Sequence, residues 1–190
     1  MAKENSRLFR EIKEKIVECA GNELEVKDHF NVLARLKEHS ERNSRHVNSF
    51  QADLVISDKT LAEKPVELVI IEVKGAEFIN THDVLIYSSK ARRHKVLFPW
   101  LRYGMVWSSP PDKEKGVPMR FLMNNESLDF AYNFENQVGE KFDDFYRHIL
   151  WKQIDASRRL YELYNNSKNM IEYFNVVVDL GTGLDKKEDR

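Results

Sequence analysis

The chain has 190 residues, 42% of them hydrophobic and 32% charged, with a formal net charge of -1 at pH 7, which is typical of one globular domain over residues 1–190. Its charged N-terminus argues against a secretory signal, and no apolar run approaches the ~20 residues of a membrane helix, so we expect no membrane partner. The single cysteine, Cys19, cannot form an internal disulfide, which fits a cytoplasmic protein.

Two helical patterns open the chain. Apolar residues at helical spacing predict a first helix over residues 6–20, and Gly21 ends it. Asn22 and Glu25 have the spacing of a capping box and predict a second helix that runs to about His39.

The middle of the chain has the residue composition of a buried sheet. The segment HVNSFQADLVIS is rich in β-branched and aromatic residues and predicts one bent strand or two short ones. The run VELVIIEVKG predicts a central strand buried on both faces. A helix from about His82 to Phe98, closed by Pro99, precedes a second central strand in YGMVWSS.

The remainder of the chain returns to helix. VPMRFLM is interpreted as an additional strand, residues from about 133 to 174 as a helical region, and NVVVDL as a final edge strand. This order of elements predicts an α/β fold in which helices flank a mixed central sheet.

The chemically informative residues are an acid on one predicted strand and a Glu-x-Lys triplet at the end of the next. Side chains alternate along a strand, so Glu72 and Lys74 point to one side and can share a cleft with Asp53. Mg²⁺ prefers oxygen ligands and is commonly held by one or two carboxylates plus a phosphate. The alternative is an acid at a strand entry beside a surface ion pair. An apolar run such as ELVII rarely ends in charged residues unless they serve a site.

These segments resemble the core of the PD-(D/E)xK nuclease superfamily, which includes many type II restriction endonucleases and Holliday-junction resolvases. The resemblance lies in QADLVIS, VELVIIEVKG, the following helix and YGMVW, over about residues 23–108. It implies a restriction-endonuclease-like αβββαβ core, here with additional C-terminal helices, and magnesium-dependent hydrolysis of DNA phosphodiester bonds, with manganese able to substitute. The matching catalytic positions are Asp53, Glu72 and Lys74, and Asp53 and Glu72 would bind the metal. Ala52 replaces the proline that often precedes the aspartate in that superfamily.

Many members of that superfamily add a glutamate from the helix before the first strand. Glu23 is our candidate, because it opens the predicted second helix near the edge of its apolar face. The alternative is a solvated glutamate at a helix start, where the helix dipole favours it.

A basic segment follows the predicted site. It contains five cations and no acid, and we expect these residues to contact DNA phosphates, with a solvated helix face as the alternative. They are Lys90, Arg92, Arg93, Lys95 and Arg102.

Among nucleases, the sequence favours a type II restriction endonuclease that acts as a homodimer. A dimer brings two active sites to two DNA strands, and Trp151, Tyr161 and Tyr164 are candidate subunit contacts on the long C-terminal helix. The alternatives are a Holliday-junction or other structure-selective resolvase, and a non-catalytic nucleic-acid-binding module with the nuclease fold.

Overall fold

The structure, a computed structural model, describes residues 2–33, 49–75, 78–110 and 112–166. Its elements in chain order are α1 (Ala2–Ala20), β1 (Leu24–Leu33), β2 (Ser49–Asp58), β3 (Val66–Lys74), α2 (Thr81–Leu97), β4 (Arg102–Trp107), α3 (Met119–Asn124), β5 (Phe130–Asn133), α4 (Val138–Phe145), a π-helical turn (Tyr146–Leu150) and α5 (Trp151–Asn165). No helix among these is long and apolar enough to cross a membrane.

Five strands form one open mixed sheet, in the order β1-β2-β3-β4-β5. The first three strands are antiparallel neighbours, whereas β3, β4 and β5 run parallel to one another. Helices α1, α4 and α5 bury apolar side chains on one face of the sheet, and α2 and α3 do so on the other. The predicted α/β fold with a mixed sheet flanked by helices is therefore confirmed.

The predicted second helix is wrong, because Leu24–Leu33 is the edge strand β1. Its apolar residues occupy alternate positions, which is the strand period. Leu24 and Val26 pack in the cluster with α1, while Phe30 and Val32 pack in the cluster with α2. The face of the sheet on which the apolar side chains of β1 pack changes at His29, a non-glycine residue with a φ of 46°. The part of the predicted helix beyond residue 33, up to residue 39, lies outside the described residues.

The central elements agree with the sequence. From Leu68 to Glu72, β3 is buried without interruption, and β4 lies between β3 and β5. Helix α2 begins with a capping box, in which Asn80 accepts from the backbone N–H of Asp83, and it ends before Pro99. The two predicted central strands and the helix between them are confirmed.

The region after β4 differs from the prediction in two places. The segment VPMRFLM contains a helix, α3, which follows Pro118 at its N-cap position. Strand β5 (Phe130–Asn133), which was not predicted, then pairs with β4. The predicted C-terminal helical region is confirmed over Val138–Asn165, and the predicted final strand NVVVDL lies outside the described residues.

Close contact between β4 and β5 depends on Gly104. Gly104 pairs with Phe130, and the ring of Phe130 occupies the space that a Cβ at position 104 would take, well inside van der Waals distance. Phe130 is 7% exposed and packs against Phe145 of α4. Only glycine allows this strand and this ring to occupy adjacent positions.

A π-helical turn joins α4 to α5 without breaking the helical backbone. After it, α5 directs Ile154 into the core and Arg158 towards the sheet. Arg158 Nε lies 2.5 Å from Oδ2 of Asp58, a fully buried acid at the end of β2. The turn therefore sets which side of α5 meets the sheet.

Candidate active site

The two carboxylates predicted to bind a metal lie on adjacent strands. Leu54 on β2 pairs with Ile71 on β3. The next two positions that face each other across this antiparallel pair are Asp53 and Glu72. The backbone N–H of Val73 donates a hydrogen bond of 2.8 Å to Asp53 Oδ2, which ties the Asp53 side chain to the end of β3. The structure thus brings the two acids together, as the sequence predicts.

Glu72 is an acid buried in the protein interior, only 2% exposed. The hydroxyl of Tyr103 donates to its Oε1, and Lys90 Nζ lies 3.4 Å from the same oxygen. Burial raises the pKa of Glu72 to about 7, against the lowering effects of Tyr103 and Lys90 and with a further contribution from the charge of Asp53. A buried carboxylate whose charge is disfavoured by burial and by a neighbouring acid forms a site that a cation stabilises.

Lys74, two residues after Glu72, joins the same cluster. Its Nζ lies 2.7 Å from Asp83 Oδ1 in the first turn of α2 and 5.4 Å from the centre of the Tyr87 ring. Burial raises the pKa of Tyr87, and the charges of Glu72, Asp53 and Asp83 raise it further. Lys90, which reaches Glu72, has its Nζ 4.9 Å from the centre of the same ring. Asp53, Glu72 and Lys74 therefore share one site.

Helix α2 contributes three residues to this site that the sequence analysis did not assign to it as a group. Asp83, Tyr87 and Lys90 have the spacing i, i+4, i+7, which places them on one face of a helix. That face lies against Lys74 and Glu72. The spacing was visible in the sequence, but its meaning depends on which face of α2 meets β3.

The loops after β3 and β4 are fixed by a buried acid, Glu114. Its Oε2 accepts hydrogen bonds from the backbone N–H of Ile79, at 3.2 Å, and from Trp107 Nε1, at 3.1 Å. Arg120 binds both Glu114 Oε1 and the backbone carbonyl oxygen of Ile79. Since Ile79 directly precedes the N-cap of α2, this network holds the start of the helix that carries Asp83.

The donor set fits a magnesium ion. Within the described residues, hydrogen bonds reach Asp53 only at Oδ2 and Glu72 only at Oε1, so Asp53 Oδ1 and Glu72 Oε2 remain for a cation. Over the same residues there is no cluster of three or more His, Cys, Asp or Glu side chains suited to a metal, so an ion at this site would have only the two carboxylates as such ligands. Two carboxylate oxygens with several waters are a common coordination for Mg²⁺.

Glu23 does not lie at this site, contrary to the prediction. It precedes Leu24, which pairs with Asp58, so Glu23 lies opposite Lys59, six positions along β2 from Asp53 and about 20 Å away along the strand. The Glu23 side chain is 67% exposed and lies 3.2 Å from Arg158. It opens a strand rather than a helix, which removes the reason for choosing it.

Two of the five predicted DNA-contacting cations bind the same acid, Asp129. Lys95 Nζ lies 2.6 Å from Asp129 Oδ2, and Arg102 lies 3.0 Å from Asp129 Oδ1. Lys95 also donates to the backbone carbonyl oxygen of Ser127 at 2.7 Å. These contacts tie α2 and β4 to the segment before β5, so Lys95 and Arg102 stabilise the fold at this position.

The other three cations have separate environments. Arg92 and Arg93 are exposed on α2, and Arg93 lies 5.5 Å from the centre of the Phe50 ring. Lys90 instead lies against Glu72. The basic segment is therefore divided among a fold contact, an exposed helix face and the acid site.

A fully buried histidine, His94, supports Tyr103 from behind the site. Its ring stacks on Tyr103 and meets Phe50 edge-on, at centroid distances of 5.6 and 5.7 Å. No side chain in the described part of the chain hydrogen-bonds to its ring nitrogens, and the backbone of Val32 opposes the effect of burial on its pKa. Burial lowers the pKa of His94 from 6.5 to about 4.

We expect His94 to make the fold sensitive to acid. The unfolded chain takes up a proton near pH 6.5 and the folded chain only near pH 4, so stability is lost as the pH falls through this range. The variant His94→Leu, of similar size, removes this proton uptake. Between pH 7 and 4.5, urea unfolding of the wild type should lose about 2–3 kcal/mol more than that of the variant. Equal losses in both proteins would contradict the neutral state of His94.

The cluster at this edge of the sheet thus contains acids, lysines and tyrosines drawn from β2, β3, β4 and α2. Comparison of the chain with protein-family models, curated proteins and solved structures finds no match.

Proposed function

We propose that this protein is a magnesium-dependent endonuclease that hydrolyses DNA phosphodiester bonds, as a type II restriction endonuclease does. The observation that carries the proposal is the pair Asp53 and Glu72 on adjacent strands, with Lys74 two residues further on and in the same cluster. The order of elements from α1 to β4 supports it, because a helix, three antiparallel strands, a helix and a parallel strand match the αβββαβ core that the resemblance implies.

Each residue then has a distinct task. Asp53 and Glu72 would hold Mg²⁺, which polarises a phosphoryl oxygen and lowers the pKa of a bound water. The Val73 N–H fixes one oxygen of Asp53, and Tyr103 fixes one oxygen of Glu72. The ammonium of Lys74 offsets negative charge that develops on the phosphate. Asp83 holds that ammonium at the site before DNA arrives.

The proposed DNA partner and the proposed homodimer find support in exposed residues. Arg92 and Arg93 lie on the exposed side of α2, where phosphate contacts are open to them. On α5, Trp151 is 44% exposed and Tyr164 is 58% exposed, whereas Tyr161 packs against Trp100 at 5.1 Å. Exposed aromatic side chains of this kind suit a subunit contact.

The test is cleavage of supercoiled plasmid and long linear duplex, with Mg²⁺ or with EDTA. We expect discrete fragments from the wild type with Mg²⁺ alone, and a loss of about 10²–10³-fold in rate for both Asp53→Asn and Lys74→Met. The control is Lys59→Met, which removes an exposed lysine beyond the end of β2. Nicking or smearing lost in the same variants would replace the restriction enzyme by a structure-selective or nonspecific nuclease. DNA binding without cleavage under any condition would indicate a non-catalytic module.

A further inference from the structure

Two lysines at the site share one aromatic ring. Lys74 Nζ lies 5.4 Å, and Lys90 Nζ 4.9 Å, from the centre of the Tyr87 ring. Lys74 comes from the end of β3, whereas Lys90 comes from the third turn of α2. The ring therefore holds two ammonium groups next to the acid pair. The sequence analysis had assigned only one of them, Lys74, to the site.

The two lysines differ in how firmly an anion holds them. Lys74 lies 2.7 Å from Asp83, which is the length of a strong charge-assisted hydrogen bond. Lys90 lies 3.4 Å from Glu72 Oε1, an oxygen that already accepts the hydrogen bond of Tyr103. The ammonium of Lys90 is thus close to the carboxylate but only weakly bound to it. Its side chain is 24% exposed, so it is free to meet a ligand that enters the site.

The position of Lys90 on α2 separates it from the exposed cations of the same helix. Lys90 belongs to the face that carries Asp83 and Tyr87, while Arg92 and Arg93 turn to solvent. A phosphate held beside Asp53 and Glu72 would lie next to Lys90 and away from those arginines. Lys90 is placed for the phosphate that reacts rather than for the flanking backbone of the DNA.

We propose that Lys90 is a second catalytic cation: it neutralises Glu72 when no metal is bound and binds the reacting DNA phosphate once Glu72 holds Mg²⁺. This inference rests on the proposed nuclease function. Glu72 exchanges one cation for another, so its buried carboxylate keeps a counter-charge in both states. The released ammonium adds to Lys74 a second positive group for the charge that builds up on the phosphate.

The variant Lys90→Met tests this, because methionine keeps the apolar stem and removes the charge. The first readout is Mg²⁺ affinity without DNA, measured by calorimetry on the full chain. We expect roughly fivefold tighter binding in the variant, since a unit positive charge beside a metal ligand has been removed. The second readout is cleavage with saturating Mg²⁺, which should slow by about 10²-fold. Lys90→Arg should recover part of this rate.

The matched control is Arg92→Met, an exposed cation on the same helix. It should leave Mg²⁺ affinity unchanged and weaken DNA binding only modestly, most clearly at low salt. If Lys90→Met behaves like this control, with unchanged Mg²⁺ affinity, Lys90 contacts only the flanking backbone of the DNA. The inference is then overturned, while the nuclease function stands.

Failure of the proposed function gives a different pattern. A wild type that binds Mg²⁺ but leaves every DNA substrate intact would overturn the nuclease function and, with it, the phosphate contact of Lys90. The Mg²⁺ titrations of wild type and Lys90→Met would then still show whether Lys90 competes with Mg²⁺ for Glu72. A wild type that binds no Mg²⁺ at millimolar concentration would overturn both.

Discussion

Replacing Glu72 by glutamine is expected to slow DNA cleavage by at least about 10³-fold, a loss of about 4 kcal/mol of transition-state stabilisation. Glutamine fits the same space and its amide oxygen still accepts from Tyr103, but the negative charge that holds Mg²⁺ is gone. Without metal, the variant should be at least as stable as the wild type, because a buried carboxylate is costly to the folded state. Thermal unfolding should show that Mg²⁺ stabilises only the wild type.

The control for this substitution lies on the same strand. Glu67→Gln changes an acid near the start of β3, at the opposite end from the site. It should leave both the cleavage rate and the stabilisation by Mg²⁺ at wild-type values. If Glu72→Gln kept its stabilisation by Mg²⁺, the metal would bind elsewhere and the assignment of Glu72 as a ligand would be wrong.

Replacing Gly104 by valine is expected to lower the free energy of unfolding by about 3 kcal/mol. The new Cβ would enter the space that the Phe130 ring occupies. The ring is buried against Phe145, so it moves only if β5 or α4 moves with it. Urea unfolding followed by circular dichroism measures the loss.

A second glycine and a double variant keep this prediction specific. Gly139, near the start of α4, has open space around its Cβ position, so Gly139→Ala should stabilise the protein by about 0.5 kcal/mol. Phe130→Ala alone should cost about 3 kcal/mol through the cavity it leaves. Combined with Gly104→Val it should cost clearly less than the sum, because the valine then has space. Strictly additive costs would show that the two residues do not compete for one volume.

The acid pair and its lysine were predictable because they depend on local pattern alone. A nearly continuous apolar run identified β3 as a buried strand, and the alternation of side chains along it put Glu72 and Lys74 on one side. The nearness of Asp53 followed from its place on the preceding strand, because consecutive strands are usually neighbours in a sheet. None of these steps needed knowledge of the helices.

The edge strand β1 shows where local pattern misleads. Val26, Phe30 and Leu33 fit helical spacing, and Asn22 with Glu25 fits a capping box, yet Leu24, Val26, Phe30 and Val32 also alternate as a strand does. Pairing with β2 along the whole segment decides between the two patterns, and that contact lies outside any local window. The choice of Glu23 failed with the helix.

The basic segment shows a second limit. Its five cations are equivalent in sequence, but Asp129, far along the chain, binds Lys95 and Arg102, and Glu72 meets Lys90. Charge pattern indicates that cations are near, whereas tertiary contacts decide which of them remain for a ligand. The roles of Tyr103 and Asp83 were hidden for the same reason.

The π-helical turn between α4 and α5 makes the length of that segment matter more than its composition. Each α-helical residue turns the chain by about 100°, so removing one residue from Tyr146–Leu150 would rotate α5 by that angle relative to α4. Ile154 would leave the core, and Arg158 would lose Asp58. Arg147 and His148 are exposed, so the same turn tolerates exchange of these side chains. A relative of this protein can therefore vary in sequence at the turn, but an insertion or deletion there shifts the helical phase of everything that follows.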